Sequence, residues 1–280
     1  MCTELASPAR RRGEQAVMNL NNRKSQMLKT SEKVRSSTNG IASSFFVLAL
    51  LSACAAAPTV DKAPQNGYDA AIADAAVASP EKIMPLLPLP ASPSAPMISW
   101  VTEKRLPCKA DEAQCTVAVG ADRLWVTLGG EVQNLCKSWN LSGDPLRRRL
   151  EQLLGLPMDP PQQYRKTSFV VMEVPRDRIE RPCLGMNDTD AENPACTIDT
   201  AASTPPELRI FVQQQMAGSY IIRNPKGPGY PFTRLGYTYD WSPASKARNH
   251  YGVSEFLIAP NTTVKVTAQM STDAYCHGPR

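Results

Sequence analysis

Residues 254–260, SEFLIAP, and 263–268, TVKVTA, are two β-rich runs that predict neighbouring strands near the carboxy terminus. Further runs of this type occur at 124–128, LWVTL, and at 168–174, SFVVMEV, which Pro175 ends. Strands and helical segments do not alternate regularly along the chain. We therefore expect an α+β domain with a mostly antiparallel sheet, rather than a doubly wound fold.

A leucine-rich segment, residues 145–154, predicts an amphipathic helix. Its apolar positions fall at helical spacing: Leu146, Leu150, Leu153 and Leu154. Its charged side chains are expected on a solvent-exposed face: Arg147, Arg148, Arg149 and Glu151. Residues 206–216 predict another helix, so the sheet should carry two or so helices.

The first part of the chain resembles the targeting segment of a bacterial lipoprotein. Residues 41–53, IASSFFVLALLSA, form an apolar run behind basic residues, too short for the ~20 residues that a membrane-spanning helix needs. The motif Leu51-Ser52-Ala53-Cys54 then resembles the lipobox. Because the run starts unusually late, Met27 is an alternative translation start.

The lipobox resemblance implies cleavage before Cys54, acyl chains such as palmitate on this cysteine, and anchoring in the bacterial cell envelope. Ala55 follows the cysteine where Asp often retains such proteins at the inner membrane, which favours the outer membrane. The folded part would then face the periplasm or the cell surface.

Residues 54–98 are rich in Ala and Pro and predict a disordered linker behind the lipidated cysteine. A single folded domain is then expected over residues 99–280. Residues 1–53 carry eight of the 31 basic and three of the 26 acidic side chains, which leaves 23 of each afterwards. This neutral balance argues against a nucleic-acid partner. The expected partners are the membrane, through the lipid, and an envelope protein or glycan.

Six cysteines follow residue 54: Cys108, Cys115, Cys136, Cys183, Cys196 and Cys276. An even number in an exported domain predicts disulfides, and the absence of C-x-x-C spacing disfavours zinc. Short separations favour Cys108–Cys115 and Cys183–Cys196, which leaves Cys136–Cys276.

The acidic segment between Cys183 and Cys196 has two interpretations. Asp188, Asp190 and Glu192 alternate as the first ligands of a calcium loop do. Asn193 stands at the sixth position, where such loops carry Gly, so a solvated acidic loop is the alternative.

An aromatic-rich stretch, residues 229–255, also has two interpretations. A strand from Arg234 to Asp240 would place Leu235, Tyr237 and Tyr239 on one face. These rings either belong to the core or form an exposed surface that binds a glycan or peptide.

The chain lacks the common enzyme signatures and predicts no cofactor. Catalytic candidates are Glu255, Arg234 and His250, the last near Asp240 and Ser254 as a hydrolase would require. Residues 254–258 followed by 262–266 resemble the carboxy-terminal catalytic strand of ADP-ribosyltransferases, which implies Glu255 as catalytic carboxylate.

Three segments are similar to uncharacterised secreted proteins of Gram-negative bacteria: residues 153–157, LLGLP; 181–183, RPC; and 230–241, YPFTRLGYTYDW. This similarity implies no activity. We expect a binding or accessory domain without catalysis, with a secreted enzyme as the alternative.

Overall fold

The computed structural model describes residues 67–112, 114–187, 192–221 and 229–278, all within one unit of the chain. The predicted signal peptide and Cys54 lie outside these ranges, so the lipobox stays a prediction. The helices of the described part are α1 Gly67–Ala75, α2 Gly129–Ser138, α3 Gly143–Leu153, α4 Pro206–Ser219 and α5 Thr272–His277. None of these helices has the length and apolar character needed to cross a membrane.

The described strands are β1 Ser94–Val101, β2 Cys115–Ala118, β3 Leu124–Leu128, β4 Ser168–Pro175, β5 Ile179–Glu180, β6 Met186–Asn187, β7 Ala195–Cys196, β8 Tyr237–Tyr239, β9 Tyr251–Ile258 and β10 Thr263–Ser271. Eight of them form one sheet in the order β2-β10-β4-β1-β3-β9-β5, with β8 also paired to β9. The registered pairs in this sheet are antiparallel. The predicted α+β class with a mostly antiparallel sheet is confirmed.

The sheet is strongly curled, as the connection between β9 and β10 shows. Three strands lie between them, so a flat sheet would separate them by about 19 Å. The five residue steps from Ile258 to Thr263 reach at most about 18 Å, and a hydrogen bond of 2.6 Å from the Thr262 hydroxyl to the Ala259 carbonyl tightens the turn further. The concave face encloses a buried apolar core: Met97, Val126, Val170, Met172, Phe256, Ile258, Val264 and Val266.

Helices α2, α3 and α5 cover the opposite face of the sheet. Ile98, Trp100 and Phe169 of the sheet pack there with the buried leucines of α3. The Phe169 ring stacks on Tyr275 of α5, with ring centroids 4.1 Å apart. Leu208 and Val212 of helix α4 pack against Leu257 of β9 and Trp125 of β3.

The three predicted disulfides are confirmed. Cys136 of α2 is bonded to Cys276 of α5, and this bond closes a loop of 140 residues. Cys108–Cys115 closes a loop of 7 residues before β2, and Cys183–Cys196 one of 13 residues around the β6–β7 hairpin. The long bond therefore fastens the carboxy terminus to the helical layer.

The predicted disordered linker is wrong for residues 67–98. Strand β1 lies in the middle of the sheet, and Ala95, Met97 and Ile98 are buried. Strand β1 pairs with β3 only at Met97 and Ile98. Pro96 has no backbone N–H to donate, and it therefore breaks no hydrogen bond between β1 and β3. Helix α1 is folded too, and its Tyr68 hydroxyl donates to the Gly229 carbonyl at 2.9 Å.

The predicted helix at 145–154 is present as α3, and Arg148 is exposed as expected, but the predicted solvent-exposed face is wrong for Arg147 and Glu151. Glu151 is only 1% exposed, and Arg147 bonds its Oε1 at 2.7 Å. Asp159, in the loop after α3, accepts a hydrogen bond of 2.7 Å from Nη2 of Arg147. Asp240, the residue after β8, accepts hydrogen bonds from both terminal nitrogens of Arg149. Because these segments cover α3, its charges are neutralised locally.

The core interpretation of the aromatic strand is confirmed, and the exposed aromatic surface is wrong for these rings. Tyr237 is 1% exposed and Tyr239 is 5% exposed. The strand is shorter than predicted because Arg234 and Gly236 adopt positive φ angles of 52° and 77°.

Candidate binding cavity

The sheet is split between β1 and β3. These strands pair only at Met97–Leu128 and Ile98–Thr127. Beyond those pairs the strands separate, and the Ser99 hydroxyl, not a backbone group, bonds the Trp125 carbonyl at 3.2 Å. The separated segments line a cavity of about 590 Å³: Ser99, Trp100, Val101, Leu124, Trp125 and Val126.

The cavity walls are mainly apolar and reach both faces of the sheet. Apolar side chains come from several neighbouring elements: Val117, Val119, Val132, Phe169, Val170, Met172, Phe232 and Val264. Arg105, Pro107, Ala118 and Gly120 also line the cavity and are exposed. An opening therefore lies between the segment after β1 and the end of β2.

Glu255 is the buried acid of this cavity. It projects from the middle of β9, opposite Thr127 of β3, on the face opposite Phe256. Within the described part of the chain, its carboxyl has no hydrogen-bond or ion-pair partner. Burial raises the pKa of Glu255 to about 8, so the side chain is protonated at neutral pH. The accessible surface that it retains faces the cavity.

A cationic pair lines the same cavity. Lys166 precedes β4, and the Thr167 N–H bonds the Val101 carbonyl at 2.9 Å, which brings this segment beside the end of β1. Burial and then the positive charge of Arg105 lower the pKa of Lys166. No carboxylate pairs with Lys166 or Arg105 among the residues that the structure describes.

The third cation at the cavity, Arg123, is already neutralised. Its Nε lies 2.6 Å from Glu180 of β5, and its guanidinium lies 5.2 Å from the centroid of the Phe211 ring. Within the part of the chain that the structure describes, the unpaired positive charge of the cavity therefore belongs to Lys166 and Arg105.

A second buried polar cluster surrounds Ser254, the residue before Glu255. Glu131 of α2 accepts the Ser254 N–H, and the Ser254 hydroxyl lies 2.7 Å from the Tyr251 hydroxyl. Burial raises the pKa of Glu131 to about 7, against the opposing effects of the Ser254 N–H and Arg181. The Ser254 hydroxyl also accepts the Leu87 N–H at 2.8 Å, and Ser254 is fully buried. The polar groups named here all have partners, and Glu131 and Tyr251 keep only part of their surface exposed, so this cluster is structural.

No side-chain hydrogen bond or ion pair joins the three catalytic candidates, all of which lie in the described part of the chain. The His250 ring stacks on Tyr239, and its Nδ1 lies 3.1 Å from the Asp240 backbone carbonyl, not from the Asp240 carboxylate. The Arg234 guanidinium contacts the Met216 sulfur at 3.7 Å. Of the three candidates, Glu255 alone is among the residues that line the cavity. The cationic pair at the cavity was not predicted, because no spacing in the sequence distinguishes it from ordinary surface charge.

The calcium candidates lie mostly outside the described part of the chain. Asp188 and Asp190 lie outside the described residues, and Glu192 is the only one of the three candidates within them. The sequence prediction of either a calcium loop or a solvated acidic loop therefore stands.

Comparisons with known proteins add no family to this description. No protein-family model matches the chain, and neither a curated protein nor a solved structure matches it.

Proposed function

We propose that this chain is a membrane-anchored lipoprotein of the bacterial envelope whose domain binds a small, mainly apolar molecule between β1 and β3. The observation that carries the proposal is the cavity of about 590 Å³ with the carboxyl of Glu255, which has no partner among the described residues. Pockets for small molecules measure about 300–1,000 Å³ and combine apolar walls with a few polar groups that fix orientation.

The chemistry of Glu255 supports a binding role. A protonated carboxyl can both donate and accept a hydrogen bond, and it adds no charge that an apolar ligand would have to neutralise. The apolar walls favour a small apolar molecule over a glycan, whose hydroxyls would lose their hydrogen bonds there. An envelope protein or a glycan stays the predicted partner of the outer surface.

A second candidate function is catalysis at the same carboxyl. A buried Glu with a pKa near neutrality is suited to general acid–base chemistry. Against this candidate, Arg234 and His250 contact other groups and are not among the residues that line the cavity with Glu255. Recovery of a ligand unchanged after prolonged incubation would favour binding, whereas its conversion by the wild type and not by Glu255→Gln would establish an enzyme.

The binding proposal is tested by filling the cavity. Val119 lines it and is half-buried, whereas Val77 is exposed and outside its walls. Val119→Trp should weaken binding of the neutral fluorescent probe N-phenyl-1-naphthylamine about tenfold or more, which corresponds to about 1.4 kcal/mol. The matched Val77→Trp variant should bind as the wild type does. Equal affinity in all three proteins would contradict the proposal.

A further inference from the structure

We propose that the ligand is an anionic single-chain amphiphile whose carboxylate or phosphate lies against Lys166 and Arg105 while its apolar chain fills the cavity. This inference rests on the proposed function and adds the charge of the ligand and the direction in which it lies.

The first support is the placement of the two cations. Arg105 is exposed and Lys166 is partly buried, and both line the cavity beside its opening. Lys166 is held there by the backbone bond between Thr167 and Val101. The segment that carries Arg105 is fixed by the Cys108–Cys115 disulfide and by a bond of 3.1 Å from the Cys108 N–H to Gln269. The positions of both cations are therefore set by the fold.

The second support is the free-energy cost of holding these two cations side by side. An ammonium group that leaves water without a partner loses hydration, and a neighbouring guanidinium adds repulsion. The lowered pKa of Lys166 reflects both effects. Among the described residues no carboxylate relieves them, so an anion from outside the chain is the group that this site fits.

The third support is the position of Glu255 relative to the cations. Glu255 lies opposite Thr127, which pairs with Ile98, whereas Lys166 lies beyond Val101 at the end of β1. Ile98 and Val101 are three residues apart, about 10 Å along the strand. The cations therefore lie further along the cavity than Glu255, which is protonated at neutral pH and does not repel an anionic ligand. Apolar walls fill the distance between them.

The test is isothermal titration of the full chain in a Cys54→Ser background, purified without detergent. Dodecanoate or dodecyl phosphate should bind about tenfold tighter than dodecanol, as expected for a charge-assisted hydrogen bond. The better of the two anions identifies the head group.

Matched variants show which residue gives the preference for the anions over dodecanol. Lys166→Gln should remove most of it, whereas Lys166→Arg and the control Lys104→Gln should retain it. Lys104 is exposed in the same turn as Arg105 and lies outside the cavity walls. Equal binding of dodecanol and both anions by the wild type would overturn the anionic ligand and leave the cavity function intact. Failure of all three molecules to bind would overturn both.

Discussion

Both carboxylate oxygens of Glu131 lie 3.0 Å from the backbone nitrogen of Ser254 and accept its N–H. The pairing of β3 with β9 stops at Thr127 opposite Glu255, so Ser254, the residue before Glu255, is not paired with β3. Glu131 takes the place of the missing strand carbonyl. It thereby holds β9 at the residue before Glu255, and so it helps to position the acid of the cavity.

Replacing Glu131 by Ala should lower the free energy of unfolding by about 2–4 kcal/mol, because the Ser254 N–H and the nearby Arg181 lose a buried partner. Glu131→Gln keeps one acceptor oxygen and should cost less. Urea unfolding followed by circular dichroism measures both variants. Glu103→Ala, at an exposed position, serves as the control. An effect of Glu131→Ala no larger than that of the control would show that the contact is not needed for the fold.

The burial of Glu255 predicts a stability that depends on pH. Its pKa is about 8 in the folded protein and about 4.5 in the unfolded chain, so the unfolded state ionises first as the pH rises. The contribution of Glu255 to the free energy of unfolding is therefore fully present below about pH 4.5 and is lost between about pH 4.5 and 8.

Glu255→Gln removes this ionisation. The difference in free energy of unfolding between the variant and the wild type should therefore change in favour of the variant by roughly 3–5 kcal/mol between pH 4.5 and pH 9. Denaturant unfolding at several pH values measures the difference. Glu103→Gln removes one exposed glutamate and controls for the loss of charge alone. A difference between wild type and Glu255→Gln that does not change with pH would contradict a protonated Glu255.

The long disulfide should matter more than the short one. Cys136–Cys276 closes a loop of 140 residues and Cys108–Cys115 one of 7 residues. The chain-entropy model gives about 5 kcal/mol for the first and about 2 kcal/mol for the second. Cys276→Ser should therefore destabilise the domain by more than Cys115→Ser, as measured by unfolding without reductant. The reverse order would show that strain or local packing outweighs loop entropy here.

The lipid anchor makes a prediction that is independent of the fold. If Cys54 carries acyl chains, each buried CH₂ contributes about 0.8 kcal/mol to membrane binding. The wild type should pellet with membranes, whereas Cys54→Ser should be released after processing of its signal, and Cys2→Ser should behave as the wild type. A processed Cys54→Ser protein that stays in the membrane fraction would rule out the lipobox.

The sequence predicts those features that depend on local pattern. The β-rich runs at β3 and β4, the leucine spacing of α3 and the short cysteine separations all identify their elements, because each signal lies within a few residues. Helix α2 was not predicted, since its first residues, Gly129 and Gly130, are typical of a strand end. Strand β1 was hidden by the proline-rich composition before it and depends on pairing with the distant β4.

Local sequence patterns do not predict the cavity, and the reason is physical. It arises because residues 99–101 and 124–126 separate, and pairing or separation of distant segments leaves no periodic signal. Glu255 was a candidate through its resemblance to a catalytic strand, whereas the structure places it inside β9 as a buried acid. The burial of the α3 charges also leaves no local signal, because their partners Asp159 and Asp240 come from other segments.

The occupancy of the cavity can be measured through its own tryptophans. Of the four in the chain, Trp100 and Trp125 line the cavity, while Trp139 and Trp241 do not. In a protein with Trp139→Phe and Trp241→Phe, a brominated dodecanoate whose bromine sits on the chain should quench the remaining fluorescence in a saturable manner, and excess dodecanoate should reverse it. Saturable quenching that Lys166→Gln weakens would support the account. A lack of saturable quenching would contradict the account. The converse protein, with Trp100→Phe and Trp125→Phe, keeps only Trp139 and Trp241, and equal quenching of these two would also contradict the account.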